Sequence, residues 1–125
     1  MLVRTMSTGD AKTLETLQDI IFPTLAVGER LRAEHYLRHL EVFPEGQFVL
    51  TTGTNPVLIG MTTTQRMDFD FTHYQHSFIE TSGGGWLTRH EPRGRWLYGL
   101  DMGILPAFRG RGGARLLYRA RQLLV

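Results

Sequence analysis

The stretch Asp101-Met-Gly-Ile-Leu-Pro-Ala-Phe-Arg-Gly-Arg-Gly-Gly-Ala114 decides how the rest of the chain is read. It continues Trp96–Leu105, the strongest strand-forming run in the sequence, which Pro106 ends. A turn of glycine and arginine follows. Ala114–Leu124 then carries Leu116, Leu117, Ala120, Leu123 and Leu124 at helical spacing. In a strand–turn–helix succession the first helical N–H groups have no partner inside the helix and point into the turn. The helix dipole adds about half a positive charge there. Gly110, Gly112 and Gly113 let the backbone approach a ligand closely, and Arg109 and Arg111 add cations. Such a turn is a cradle for an anion, best suited to a phosphate or pyrophosphate.

Charge supports that reading. Residues 1–88 hold six basic and ten acidic groups, whereas residues 89–125 hold eight arginines against Glu91 and Asp101. Thirteen of the fourteen cations are arginine, whose planar fork suits phosphate and carboxylate. The alternative is a pair of opposed patches that face water or each other. Two common phosphate-binding motifs are excluded. No Lys and Ser/Thr follow the glycines as a P-loop requires, and Arg115 stands where the third glycine of a dinucleotide fingerprint belongs.

With 125 residues the chain is read as one domain, 1–125, able to bury a single sizeable core. Its 42% hydrophobic and 21% charged residues are ordinary for a globular protein. No apolar run approaches the roughly 20 residues of a membrane-spanning helix, and the opening residues lack the apolar core of a secretory signal. The absence of cysteine excludes disulfides, thiolate catalysis and cysteine-based zinc sites, and a reducing cytoplasm is the expected setting.

Working backward from the decisive stretch, Leu2–Thr5 reads as a short strand and Thr8-Gly9-Asp10 as the start of a helix through Ala11, Leu14, Leu17 and Ile21. A second helix is expected over about 29–42, with Ala33, Tyr36, Leu37 and Leu40 as its apolar stripe. Gln47–Thr52 and Val57–Thr64, separated by Gly53-Thr-Asn-Pro56, read as an antiparallel hairpin. Residues 65–85 are either a substrate-facing segment or a short helix over the sheet. Trp86–Arg89 reads as another strand and Glu91–Gly94 as a turn.

Ile104, Pro106 and Arg109 reproduce a V/I-x-P-x-x-R spacing, and Arg109, Gly112 and Ala114 fill R/Q-x-x-G-x-G/A. Together they resemble the acetyl-CoA signature of the GNAT superfamily of N-acetyltransferases. The resemblance implies an α/β GNAT-like acyl-CoA N-acyltransferase fold, with a mixed, mostly antiparallel sheet and flanking helices. It covers the front of such a domain and leaves its C-terminal part absent. It implies acetyl-CoA as co-substrate, its pyrophosphate held by Arg109, Gly110, Arg111, Gly112, Gly113 and Ala114. The preceding strand would carry a bulge and offer Met102 and Ile104 as backbone partners of the pantetheine arm.

Transfer would then be direct attack by an amine, small or peptidic, which needs a base to take its proton. Asp101 is the only carboxylate on the strand and Glu80 is a second candidate; an edge or ion-paired Asp is the other reading of Asp101. Family members often draw a Tyr acid from a later helix, a role Tyr118 is on the wrong element to fill. The alternative function is a non-catalytic or partial module that binds CoA or a completing chain, with the open sheet edge met by another copy or a partner.

Weaker constellations carry less. His35 and His39 lie at i, i+4, a spacing zinc can use, but no third ligand accompanies them and a solvated helix face is expected. His73 and His76 suit an ordinary loop, and Trp86 and Trp96 are expected in the core. Arg109–Gly113 occurs once, between strand and helix, unlike the repeated Arg-Gly tracts that bind nucleic acid.

Overall fold

The computed structural model describes residues 1–68 and 82–125. Strands β1 (Leu2–Thr5), β2 (Gln47–Thr51), β3 (Leu58–Met67) and β4 (Trp96–Ile104) form one sheet in the order β1-β2-β3-β4, every described pair antiparallel. Helices α1 (Ala11–Ile21) and α2 (Ala33–Val42) cover one face. Helix α3 (Gly113–Leu124) covers the other.

The alternation of strand side chains produces these two layers. Val49 and Met61 face α1 and α2, joining Leu14, Leu17, Leu31 and Tyr36. Phe48, Leu50 and Ile59 face α3 and meet Ile104 and Leu117. Each fully buried Leu or Ile contributes about 1.5–3 kcal/mol of transfer free energy. At the entry to α1, Asp10 accepts the Ser7 N–H at 2.8 Å and two hydrogen bonds from Arg4 at 2.8 and 3.0 Å. That pairing ties β1 to the first helix.

Most expected elements are present with shifted ends. A 3-10 turn occupies Thr8–Asp10, and α2 begins at Ala33 after a separate 3-10 turn at Val27–Glu29. The Arg32 N–H donates to His35 Nδ1 at 2.8 Å, so the imidazole caps α2 where no Ser or Asp is available.

Trp86–Arg89 is not a strand. Gly83, Gly84 and Gly85 all have positive φ and turn the chain, and Leu87 N–H bonds back to the Ser82 carbonyl at 2.9 Å. Trp86 and Trp96 are not core residues either; they are 41% and 48% exposed. Leu87 is the buried member of that turn. His35 and His39 do not form a solvated face. His39 is fully buried, and His35 packs on Trp86 with ring centroids 4.1 Å apart.

Candidate functional site

Register places a bulge in the middle of β4. Thr63 pairs with Asp101 and Thr64 with Gly99, so Leu100 is the extra residue. Asp101, directly after it, turns its carboxylate into a buried network. Oδ1 accepts the Thr63 N–H at 2.8 Å and the Thr63 hydroxyl at 2.7 Å. Oδ2 accepts the Gln18 amide at 2.8 Å and the Tyr36 hydroxyl at 3.2 Å. Gln18 Nε2 also donates to the Tyr36 oxygen at 2.9 Å, and Gln18 Oε1 receives the Leu31 N–H at 3.4 Å.

Burial pushes the Asp101 carboxyl above its ordinary pKa, against the pull of the Thr63 and Tyr36 donors. Burial and the neighbouring carboxylate push Tyr36 well above its usual range, so it stays a donor. The alternative of an ion-paired Asp is not what the structure has: no described cation is within ion-pair distance of Asp101.

On the far side of Asp101, β4 runs along the edge of the described sheet. Leu105 N–H donates to the Ile59 carbonyl at 2.8 Å, so Gly103 and Leu105 turn their backbone groups toward β3. Met102 and Ile104, in alternation, turn theirs toward the outer edge of the described sheet. The Ile104 carbonyl is partly engaged there, accepting Arg109 Nε–H at 3.1 Å. Arg109 is therefore laid back along the strand rather than held over the turn.

The glycine turn has the expected geometry. Gly112 caps α3 at φ 84° and Gly110 has φ 78°, and a Cβ on either would meet nothing within 4 Å. The space in front of the turn is open. Gly113 differs: its Cβ would come within 2.7 Å of Leu50 and 3.1 Å of Ile104, so it is glycine because the helix start sits directly on the sheet. The Arg111 guanidinium lies 5.5 Å from the Phe108 ring centroid. None of Arg109, Arg111 and Arg115 pairs with an acidic group among the described residues.

Two hollows join these parts. A groove of about 270 Å³ runs between Ile21, Phe22, Met102, Ile104, Arg109 and Ala114. A cavity of about 380 Å³ continues past the bulge, with Phe22 and Met102 shared and Gln18 and Asp101 in its wall. Of the expected residues, Asp101 lines the second hollow, Met102 both, and Ile104, Arg109 and Ala114 the first, while Gly110, Arg111, Gly112 and Gly113 line neither. Glu80, His73 and His76 lie outside the described residues. Sequence reasoning missed Gln18, Tyr36 and Thr63. A polar residue four positions after Leu14, on the buried face of α1, was the available signal for Gln18. Among the described residues no group of three or more His, Asp or Glu is placed to hold a metal, and no described helix is long and apolar enough to cross a membrane.

No protein-family model matches the chain. It is 30% identical over 113 residues to YkwB, an uncharacterized N-acetyltransferase of Bacillus subtilis, covering 90% of this chain and 49% of that protein. It is 30% identical over 122 residues to YhcX, a probable hydrolase of the same organism, covering 98% of this chain and 23% of that protein. The chain therefore spans about a quarter and a half of these curated relatives. Among solved structures it superposes on the GNAT-like decarboxylase GphF in complex with isobutyryl-CoA (TM-score 0.77, 24% identity, 96% of this chain and 57% of that one). It also superposes on the loading GNATL domain of CurA from Lyngbya majuscula (TM-score 0.76, 22% identity, 98% and 57%). Both likenesses are of fold: four described antiparallel strands with helices on both faces, matching 57% of each of these GNAT-like chains.

Proposed function

We propose, from a chain whose fold is that of GNAT-like domains, that it binds an acyl-CoA, acetyl-CoA in the simplest case, and passes the acyl group to an amine by direct attack within a ternary complex. The observation that carries this reading is a pair of neighbouring hollows, one between Ile104, Arg109 and Ala114 and one at Asp101, that share Phe22 and Met102. The residues present fit the co-substrate. Open space before Gly110 and Gly112 admits a pyrophosphate, which the first N–H groups of α3 with Arg111 would hold, joined by Arg109 once its guanidinium leaves the Ile104 carbonyl. The N–H groups of Met102 and Ile104, and the Met102 carbonyl, are available to the pantetheine amides as an added strand edge.

The thioester supplies an electrophilic carbonyl carbon to which the amine nitrogen adds; the C–N bond forms, the C–S bond breaks, and the sulfur leaves with the bonding pair. An alkylammonium gives up two protons in becoming an amide, one before attack that ends in solvent and one afterwards that goes to the departing sulfur. Asp101 takes the first of these, directly or through a water, before attack. Its burial and raised pKa make it a better proton acceptor than an exposed Asp. Glu80 is the second candidate for that role. Tyr36 donates to the same carboxylate at 3.2 Å.

A second reading, acyl-CoA binding without turnover, is favoured by one observation: both Asp101 oxygens already accept protein donors. Following thiol release from acetyl-CoA against a panel of primary amines separates the two. Amine-dependent release supports transfer; saturable acyl-CoA binding with no release supports the module. We extend the reading to a cytoplasmic setting and to another chain, a second copy or a completing partner, against the free edge of β4.

A further inference from the structure

A third hollow lies on the other layer of the molecule, away from Asp101. It is a groove of about 550 Å³ between β1 and α3. Met1, Val3, Phe48, Leu116, Ala120 and Leu123 give it apolar walls. Two of its residues, Leu2 and Leu123, are 60% and 84% exposed. Arginines border it. Arg119 is in the wall, Arg115 stands one turn before it on the exposed face of α3, and Arg111 precedes the helix. None of the three has an acidic partner among the described residues. Arg4, also in the wall, is already paired with Asp10 at 2.8 Å. Glu45, the one acid in the lining, has no ion pair among the described residues and offsets one of the three free cations.

We infer that this groove docks an acidic amphipathic helix of another protein, its apolar ridge against Leu116, Ala120 and Leu123 and its carboxylates on Arg115 and Arg119. The inference stands apart from the acyl-transfer reading, since none of these residues lines either hollow at β4. Shape selects a helix. The groove is concave, which suits a ridge of side chains and not a flat lipid surface. A strand added to β1 meets an obstacle. Met6 N–H donates to the Gln47 carbonyl at 2.8 Å, so in alternation Thr5 turns its backbone outward. The Thr5 carbonyl there already accepts Arg4 Nη1–H at 3.1 Å. Charge selects an acidic partner, because carboxylates four residues apart on a helix match two arginines set about 5–6 Å apart by one turn. A second copy of this chain would instead bring a second set of the same arginines to the interface.

The test titrates the full chain with two synthetic helical peptides of about 18 residues, leucine at i, i+3, i+4 and i+7, flanked in one by glutamate and in the other by lysine. Arg119→Glu and Leu123→Gln are compared with the parent. Both positions are exposed, so neither variant should move the urea midpoint. The expected result is a glutamate peptide bound about tenfold or more tighter than the lysine peptide, and weakened about tenfold by either substitution. Added salt should weaken it as well, and acetyl-CoA binding should be the same in all three proteins. Equal affinity for the two peptides, or an affinity that Arg119→Glu leaves untouched, would overturn the inference. Sedimentation equilibrium and flotation with phosphatidylcholine–phosphatidylserine vesicles test the other occupants. Self-association lost in Leu123→Gln, or vesicle binding lost in Arg119→Glu, with no glutamate peptide bound, would also overturn it and give the groove to a second copy or a membrane. Peptide docking in a chain that binds no acetyl-CoA would remove the transfer reading and leave this one in place.

Discussion

The side-chain amide of Gln18 on α1 and the carboxylate of Asp101 on β4 meet at 2.8 Å, 83 residues apart in sequence. That bond crosses from the helical layer to the bulge of the sheet, and Tyr36 closes it into a triangle. A buried carboxylate without donors would be neutral and of little use as a base. With four donors it stays aligned on the cavity.

Asp101→Asn is expected to reduce amine-dependent acyl transfer by about 100-fold or more, the usual scale of a lost general base. Acetyl-CoA binding should change less than about threefold, because the glycine turn is untouched. Steady-state kinetics beside equilibrium binding checks both. Since burial raises the Asp101 pKa, the acid limb of kcat/KM should lie above the ordinary Asp range and vanish in the variant.

Tyr36→Phe removes one donor from Asp101 and one acceptor from Gln18 in a fully buried position. Loss of about 1–3 kcal/mol of stability is expected in denaturant unfolding. The acid limb should move upward in the same variant, because a donor that favours the charged carboxylate is gone.

The two glycines at the α3 start should respond differently. At Gly112 only backbone strain opposes alanine, about 1 kcal/mol at its φ of 84°, with nothing within 4 Å of the new Cβ. Acyl-CoA affinity should nevertheless fall, because the methyl enters the cradle. At Gly113 the new Cβ would press on Leu50 at 2.7 Å, and a packing cost of about 1–3 kcal/mol is expected. Urea midpoints and acetyl-CoA titrations of the two variants distinguish strain from overpacking.

Three histidines predict acid sensitivity. His39 is buried with its Nε2 2.6 Å from the Gly85 carbonyl, and burial holds its pKa at about 4. His35 and His90 each accept a backbone N–H at Nδ1, from Arg32 at 2.8 Å and Arg66 at 2.9 Å, and burial lowers both. Glu34 and Arg32 face His35, while Glu45, Arg66 and Glu91 face His90. A folded pKa below the unfolded value of about 6.5 means that the unfolded chain binds protons first. Stability is therefore full above pH 6.5 and falls as pH drops toward 4, by about 3 kcal/mol for His39 alone. Unfolding followed between pH 8 and 4 should show this slope, and His39→Leu should flatten it.

The strand–turn–helix stretch was legible because each part is local: Pro106 ends a strand, three glycines make a turn, and leucines at helical spacing follow. The hairpin between β2 and β3 was legible for the same reason. The bulge came only from the resemblance, since nothing in Tyr98-Gly-Leu-Asp101 marks Leu100 as unpaired. The Asp101 network was hidden because Tyr36 sits on an apolar stripe and Thr63 within a run of strand formers, so both pass for packing. Trp86–Arg89 was misread because its Trp and Leu suit a strand, while three positive-φ glycines before it set a turn instead.

The central claim is that acyl-CoA lies along the free edge of β4 with its pyrophosphate on the start of α3. Backbone amide hydrogen exchange, residue by residue with and without saturating acetyl-CoA, tests it most directly. The account predicts new protection at Met102 and Ile104 and at 110–115, with Gly103 and Leu105, already paired to β3, little changed. Saturable binding that leaves Met102, Ile104 and the glycine turn unprotected, or protects a different surface, would contradict it.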